Sequence, residues 1–122
     1  MRRILVIEDK PAIAAGLRLE LPTEAFEVTS ASNGIEGERL ALADDVSLVI
    51  DLIVSGRDDL GLLTAVRRRK PALPVIVLSS RAEVANRIAA LDAGANDFLA
   101  EPFSSGELVA RVRAQLRRAA WT

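Results

Sequence analysis

The chain has 122 residues and contains no cysteine, no histidine and no tyrosine. Without cysteine there is no disulfide, no thiolate nucleophile and no cysteine zinc site. Without histidine there is no Ser-His-Asp relay, no imidazole general base and no His-ligated transition metal. Aromatic residues are few, three Phe and one Trp. Long hydrophobic runs are missing too. Ile4-Leu5-Val6-Ile7 is too short for a signal-peptide core or a membrane span, so a cytoplasmic chain with no membrane contact is expected. Neither charge sign dominates: the net charge is −1 and the pI is near 5.5. Direct nucleic-acid binding by this domain is therefore not expected. Gly56 and Gly61 form no phosphate-cradling motif, and there is no P-loop or G-x-G-x-x-G. Carboxylate, hydroxyl, Lys and Arg remain for chemistry.

Half of the residues are hydrophobic and the length suits one domain with a real core. Short apolar runs alternate with longer amphipathic stretches, the pattern of an α/β fold with a parallel sheet. Strands are predicted near 3–8, 26–30, 46–51, 74–79 and 96–100. The first, third and fourth are solidly apolar, as strands covered on both faces should be. The second alternates Phe26, Glu27, Val28 and is expected at an edge.

Helices are predicted between the strands. Ile13, Leu17 and Leu21 space as one face of the first, and Ile35 and Leu40 carry a second near 34–43. Leu60, Leu63 and Val66 mark the third, Val84, Ile88 and Leu91 the fourth, and Leu108, Val112 and Leu116 the fifth. Pro11 suits a first helical position, and Pro71 and Pro74 bracket a loop. Ser80-Arg81-Ala82-Glu83 and Ser104-Ser105-Gly106-Glu107 read as capping boxes, so Ser80 is expected to be an N-cap rather than a ligand.

The strand ends carry the polar residues: Glu8 and Asp9, Asp51, Ser79 and Ser80, Glu101 and Pro102. In a doubly wound sheet, ligands bind beyond the carboxyl ends of the strands, near the switch in strand order. Three carboxylates and a hydroxyl meet at one edge; the clustered carboxylates repel, and ask for a divalent cation or a raised pKa. Any one acid ending a strand reads as a loop or cap residue; the set reads as a site.

Four segments in register resemble the receiver domain of two-component response regulators over nearly the whole chain. They are Ile4-Leu-Val-Ile-Glu-Asp9, Ser47-Leu-Val-Ile-Asp-Leu52, Leu73-Pro-Val-Ile-Val-Leu-Ser-Ser-Arg81 and Gly94-Ala-Asn-Asp-Phe-Leu-Ala-Glu-Pro-Phe103. The resemblance implies a flavodoxin/CheY-like (βα)5 fold with strand order 2-1-3-4-5. The receiver unit is expected over 1–119, with 120–122 a tail or the start of a linker.

The resemblance also implies roles. Asp51 is the phosphoacceptor, a carboxylate nucleophile. Glu8, Asp9, Asp51 and the Ile53 backbone carbonyl hold Mg²⁺. Ser79 is the switch hydroxyl and Phe98 the switch aromatic, although Phe98 reads equally well as a core residue. A Lys precedes the strand-five Pro in the family, and this chain has Glu101 there, which reverses the sign of the contact. Arg81 offers a positive charge nearby. Ser55-Gly56-Arg57-Asp58-Asp59 also departs from the family's usual Pro-Gly-Met-Asp-Gly. A Glu101–Pro102 cis bond is possible, as in the family's Lys-Pro.

A second layer of resemblance, to the OmpR/PhoB subfamily, implies a weak homodimer through helix four, strand five and helix five. Arg87, Asp97, Glu107, Arg111 and Arg118 stand at its charged positions, where the plain reading is solvated helix faces. Such receivers usually precede a DNA-binding winged helix. Ending at Trp121-Thr122, the chain is either a single-domain receiver or one part of a longer protein.

Three functions follow. The first is a non-enzymatic receiver that takes a phosphoryl group from a sensor histidine kinase and switches the helix four–strand five–helix five face, with phosphorylation impaired by Glu101. The second is a phosphorylation-independent pseudo-receiver acting through its interface. The third is an Asp-nucleophile phosphatase of the haloacid-dehalogenase kind. That one wants a second Asp where Ile53 stands. A flavodoxin-like cofactor binder needs phosphate- and ring-binding loops that the sequence lacks.

Overall fold

A computed structural model describes residues 2–22, 25–53, 60–80 and 83–120. The expectations for Arg81, for the 55–59 loop and for Trp121 lie outside these residues. Five strands and five helices alternate: β1 Arg2–Ile7, α1 Pro11–Glu20, β2 Phe26–Ala31, α2 Gly34–Ala41, β3 Val46–Ile53, α3 Leu60–Arg69, β4 Val75–Ser79, α4 Val84–Ala93, β5 Asp97–Ala100 and α5 Ser105–Ala120. The sheet is wholly parallel in the order β2-β1-β3-β4-β5, with alternating β2 at an edge as expected.

Strand alternation splits the core into two layers. Ile4 and Val6 of β1, Leu48 and Ile50 of β3, and Ile76 and Leu78 of β4 meet Leu17 of α1 and Leu108, Val112 and Leu116 of α5. Leu5, Ile7, Val49, Val75 and Val77 face the other way, onto Ala41 of α2, Leu62, Leu63 and Val66 of α3, and Ala90 of α4. Burying each large side chain contributes about 1.5–3 kcal/mol. This explains why the runs 4–7 of β1, 48–50 of β3 and 75–78 of β4 are apolar at every position.

Helix starts follow local chemistry. Pro11 opens α1 with its preset φ. Asn33 caps α2 by accepting from the Glu36 N–H at 2.8 Å, and Glu36 accepts from the Ser32 N–H. Ser104 caps α5, its Oγ accepting from the Glu107 N–H at 3.0 Å. The Ser80 expectation fails: α4 begins at Val84 with Glu83 in the cap position, and Ser80 is exposed outside the helix.

Two predicted helix faces also turn out differently. On α1, Leu17 is buried but Ile13 is exposed, and Ala14 takes the inner position. On α4 the whole stripe faces solvent, with Val84 60%, Ile88 53% and Leu91 46% exposed, while the small Ala90 is the residue buried against the sheet layer. With only the small Ala90 and the partly buried Ala93 turned inward, α4 leaves its larger apolar residues exposed.

Candidate functional site

Among the described residues, three polar side chains are buried: Glu8, Asp51 and Ser79. All three lie at the carboxyl ends of neighbouring strands. The order β2-β1-β3 reverses the winding between β1 and β3, so the crevice opens between Glu8-Asp9 and Asp51.

β3 carries Asp51 into the interior at 1% exposure, in register with Ile7 of β1 and Val77 of β4. By alternation it shares the sheet face of Val49, as Ser79 shares that of Val77. Ser79 stands level with Ile53 on one side and Ala100 on the other. Phe98, level with Val77, is half-buried against the α2–α4 layer.

The Glu8 N–H donates to the Ala31 carbonyl at 2.9 Å, extending the β1–β2 pairing. Its Oε1 accepts from the Lys10 N–H at 3.0 Å. Burial pushes the Glu8 carboxyl above its ordinary value, and sharing a proton with Asp9 pushes it further. Asp9 itself is exposed. Among the described residues no three acids form a ready cation cage. The carboxylates share an edge as expected, without sharing a preformed coordination shell. The donor set, carboxylates and a β3 carbonyl, is all oxygen and suits a hard cation that keeps water.

Glu101 is exposed, and its bond to Pro102 is cis. Its N–H donates to the Ser79 carbonyl at 2.9 Å. With Glu20, Leu17 and Phe103 it lines a cleft of about 570 Å³ beside α1. Glu20 had no place in the sequence reading; it becomes visible only when α1 packs beside the β5–α5 turn.

The charged residues singled out on α4, β5 and α5 divide. Arg111 Nη1 holds both Asp97 oxygens, at 3.0 and 3.1 Å, and its Nη2 holds Glu107 at 3.1 Å. These three pair within one chain. Arg87 is exposed on α4 beside the apolar stripe. Arg118 lines a separate cleft with Asn96 and Pro74.

The chain is an open doubly wound α/β domain with a buried acid and a buried hydroxyl at the carboxyl ends of neighbouring strands. Residues 4–113 match the family described as the response regulator receiver domain. The chain belongs to that family. Among curated relatives, HprR, a transcriptional regulatory protein of Escherichia coli K12, is 42% identical over 117 residues, 95% of this chain and 52% of that protein. The transcriptional regulatory protein PrrA of Mycobacterium tuberculosis H37Rv is 41% identical over 117 residues, 95% and 50% of the two chains. The chain thus spans about half the length of the curated relatives it matches. The receiver domain of the Francisella response regulator 1452 superimposes with a TM-score of 0.85 at 28% identity, covering 97% and 98% of the two chains. A CheY-like receiver domain protein from Methanospirillum hungatei JF-1 gives 0.88 at 23% identity over 98% and 97%, a likeness of fold alone. No described helix is long and apolar enough to cross a membrane.

Proposed function

We propose that this receiver accepts a phosphoryl group on Asp51 from a sensor histidine kinase. The observation that carries the reading is the coincidence of all three buried polar side chains, Glu8, Asp51 and Ser79, at the switch point. An Asp51 oxygen attacks the phosphorus of a phosphohistidine. The P–N bond breaks, the imidazole nitrogen leaves with the bond pair, and an acyl phosphate forms. Glu8, Asp9, Asp51 and the Ile53 carbonyl would hold Mg²⁺, which when bound offsets the negative charge of the transferring group. The Ser79 hydroxyl donates to a phosphoryl oxygen and draws the end of β4 inward. Phe98, one strand away, follows it.

The output face is α4–β5–α5. The exposed Val84, Ile88 and Leu91 stripe, with Arg87 beside it, favours a weak homodimer there. The receiver unit is taken as 1–119, with 120–122 a tail or the start of a linker. Relatives of twice the length are named as transcriptional regulators, so the output is taken to be transcriptional, through a DNA-binding part outside this chain.

Glu101 weakens the phosphorylated state. Where the family resemblance sets an ammonium, a carboxylate removes a charge-assisted partner and adds repulsion. The same residue favours a second reading, a pseudo-receiver that signals through its interface without phosphate. Beryllofluoride with Mg²⁺, followed by amide NMR, separates the two. The phospho-receiver reading expects shifts at Asp51 and Ser79 and along α4–β5–α5. A response limited to Mg²⁺ contacts contradicts it.

A further inference from the structure

The edge of the sheet opposite Asp51 is built as a cationic groove. Three contiguous depressions of about 470, 250 and 420 Å³ lie where β1 begins and where α3 and α5 end. The first and third share Arg2 and Leu116, and the first two share Pro71, Pro74 and Ala119. Five cations line them: Arg2, Lys70, Arg113, Arg117 and Arg118. No described lining residue is acidic. The floor is apolar, made by the buried Phe26, Leu73 and Leu116. The chain's net charge of −1 hides this separation of charge.

Cations at helix C-termini offset the helix dipole, which accounts for Arg117 and Arg118 in the last turn of α5. It does not account for Arg2 on β1 or Arg113 in mid-helix. Internal pairing accounts for one of the five, Lys70, whose ammonium donates to the Ala43 carbonyl; among the described residues Arg113, Arg117 and Arg118 make no ion pair, and Arg2 makes only a 3.4 Å bond to the Leu116 carbonyl.

We infer that this end of the domain docks an acidic protein segment with apolar anchors. A rim of cations asks for carboxylates, and an apolar floor asks for Leu- or Phe-like side chains of the size these depressions hold. Duplex DNA supplies the charge but little apolar surface to meet the floor. The site lies at the opposite strand ends from Asp51 and is independent of the phosphoryl-acceptor reading.

The test uses the ¹⁵N-labelled chain and a short synthetic amphipathic helix, Leu on one face and Glu on the other. Salt-sensitive amide shifts are expected at Arg2, Lys70 and Leu116, with Asp51 and Ser79 unmoved. Arg113→Glu with Arg117→Glu should weaken binding about tenfold or more. Both side chains are exposed, so melting should change little; Lys70→Glu serves as a second variant with a smaller loss. The inference is overturned if millimolar peptide moves nothing at this end, or if the Glu→Gln peptide binds as well. It is also overturned if a DNA duplex moves these amides and the peptide does not.

Discussion

The Arg67 guanidinium donates twice to the Gly94 carbonyl, from Nε at 3.1 Å and Nη2 at 2.7 Å. It also donates to the carbonyls of Lys70, Pro71 and Leu73 and to Asn96 Oδ1. Asn96 in turn accepts from the Val75 N–H. One side chain therefore ties the end of α3 to the end of α4 and to the start of β4. Gly94 has φ 128°, and a Cβ there would lie 3.0 Å from the Arg67 Cβ. Burial lowers the Arg67 pKa, yet an arginine stays charged at any physiological pH. Arg67→Ala should cost about 2–4 kcal/mol by leaving carbonyls unpaired. Urea unfolding measures it. Arg67→Lys should recover little, since one ammonium cannot span the same acceptors.

Gly37 is where α2 closes on β1. A Cβ at Gly37 would meet the Ile7 Cδ1 at 2.8 Å, and Ile7 is buried. Alanine is the better helix former by about 1 kcal/mol, but overpacking costs about 1–3 kcal/mol. Gly37→Ala should therefore destabilise, and adding Ile7→Val, which removes Cδ1, should return part of the loss. Thermal melts of the single and double variants check the sign.

Mg²⁺ should bind weakly and shift amides at Glu8, Asp9 and Asp51. Asp9→Asn should weaken it. Because burial holds the Glu8 carboxyl above its ordinary value, protons compete early. Affinity should fall as pH drops through that raised value, sooner than for a solvated carboxylate. An NMR titration at two acid pH values reads this out. Equal affinity at both contradicts the assignment of Glu8 as a ligand.

Self-association through α4 should respond most to Ile88→Asp, which charges the centre of the exposed stripe without touching the core. Arg111→Glu should also weaken it. It breaks the internal Asp97–Arg111–Glu107 pairing, in which each exposed contact contributes only about 0–1 kcal/mol. Sedimentation at low and high salt should show a weak, salt-sensitive dimer in the native chain and monomer for Ile88→Asp.

The sequence carried the fold because each layer has its own periodicity. Apolar runs without alternation read as doubly covered strands, and the α5 stripe Leu108, Val112 and Leu116 does face the core. That the acids gather at one end of the sheet was legible, because acids ending apolar strands share an edge once the strands are parallel. Other features were hidden. The α4 stripe has the spacing of a core face, and nothing local says that Ala90 faces inward instead. Ser80 matched a capping pattern that the chain passes over in favour of Glu83. Within Arg67-Arg68-Arg69-Lys70, only packing separates the half-buried clasp, Arg67, from the groove-lining Lys70. Net charge averaged away the cationic end.

Intact-mass analysis with a small phosphodonor such as acetyl phosphate, in Mg²⁺, tests the central claim most directly. The native chain should gain one phosphoryl group slowly, Glu101→Lys should gain it faster, and Asp51→Asn should gain none. Labelling that persists in Asp51→Asn contradicts Asp51 as the acceptor, and a native chain labelled as fast as Glu101→Lys contradicts the role given to Glu101.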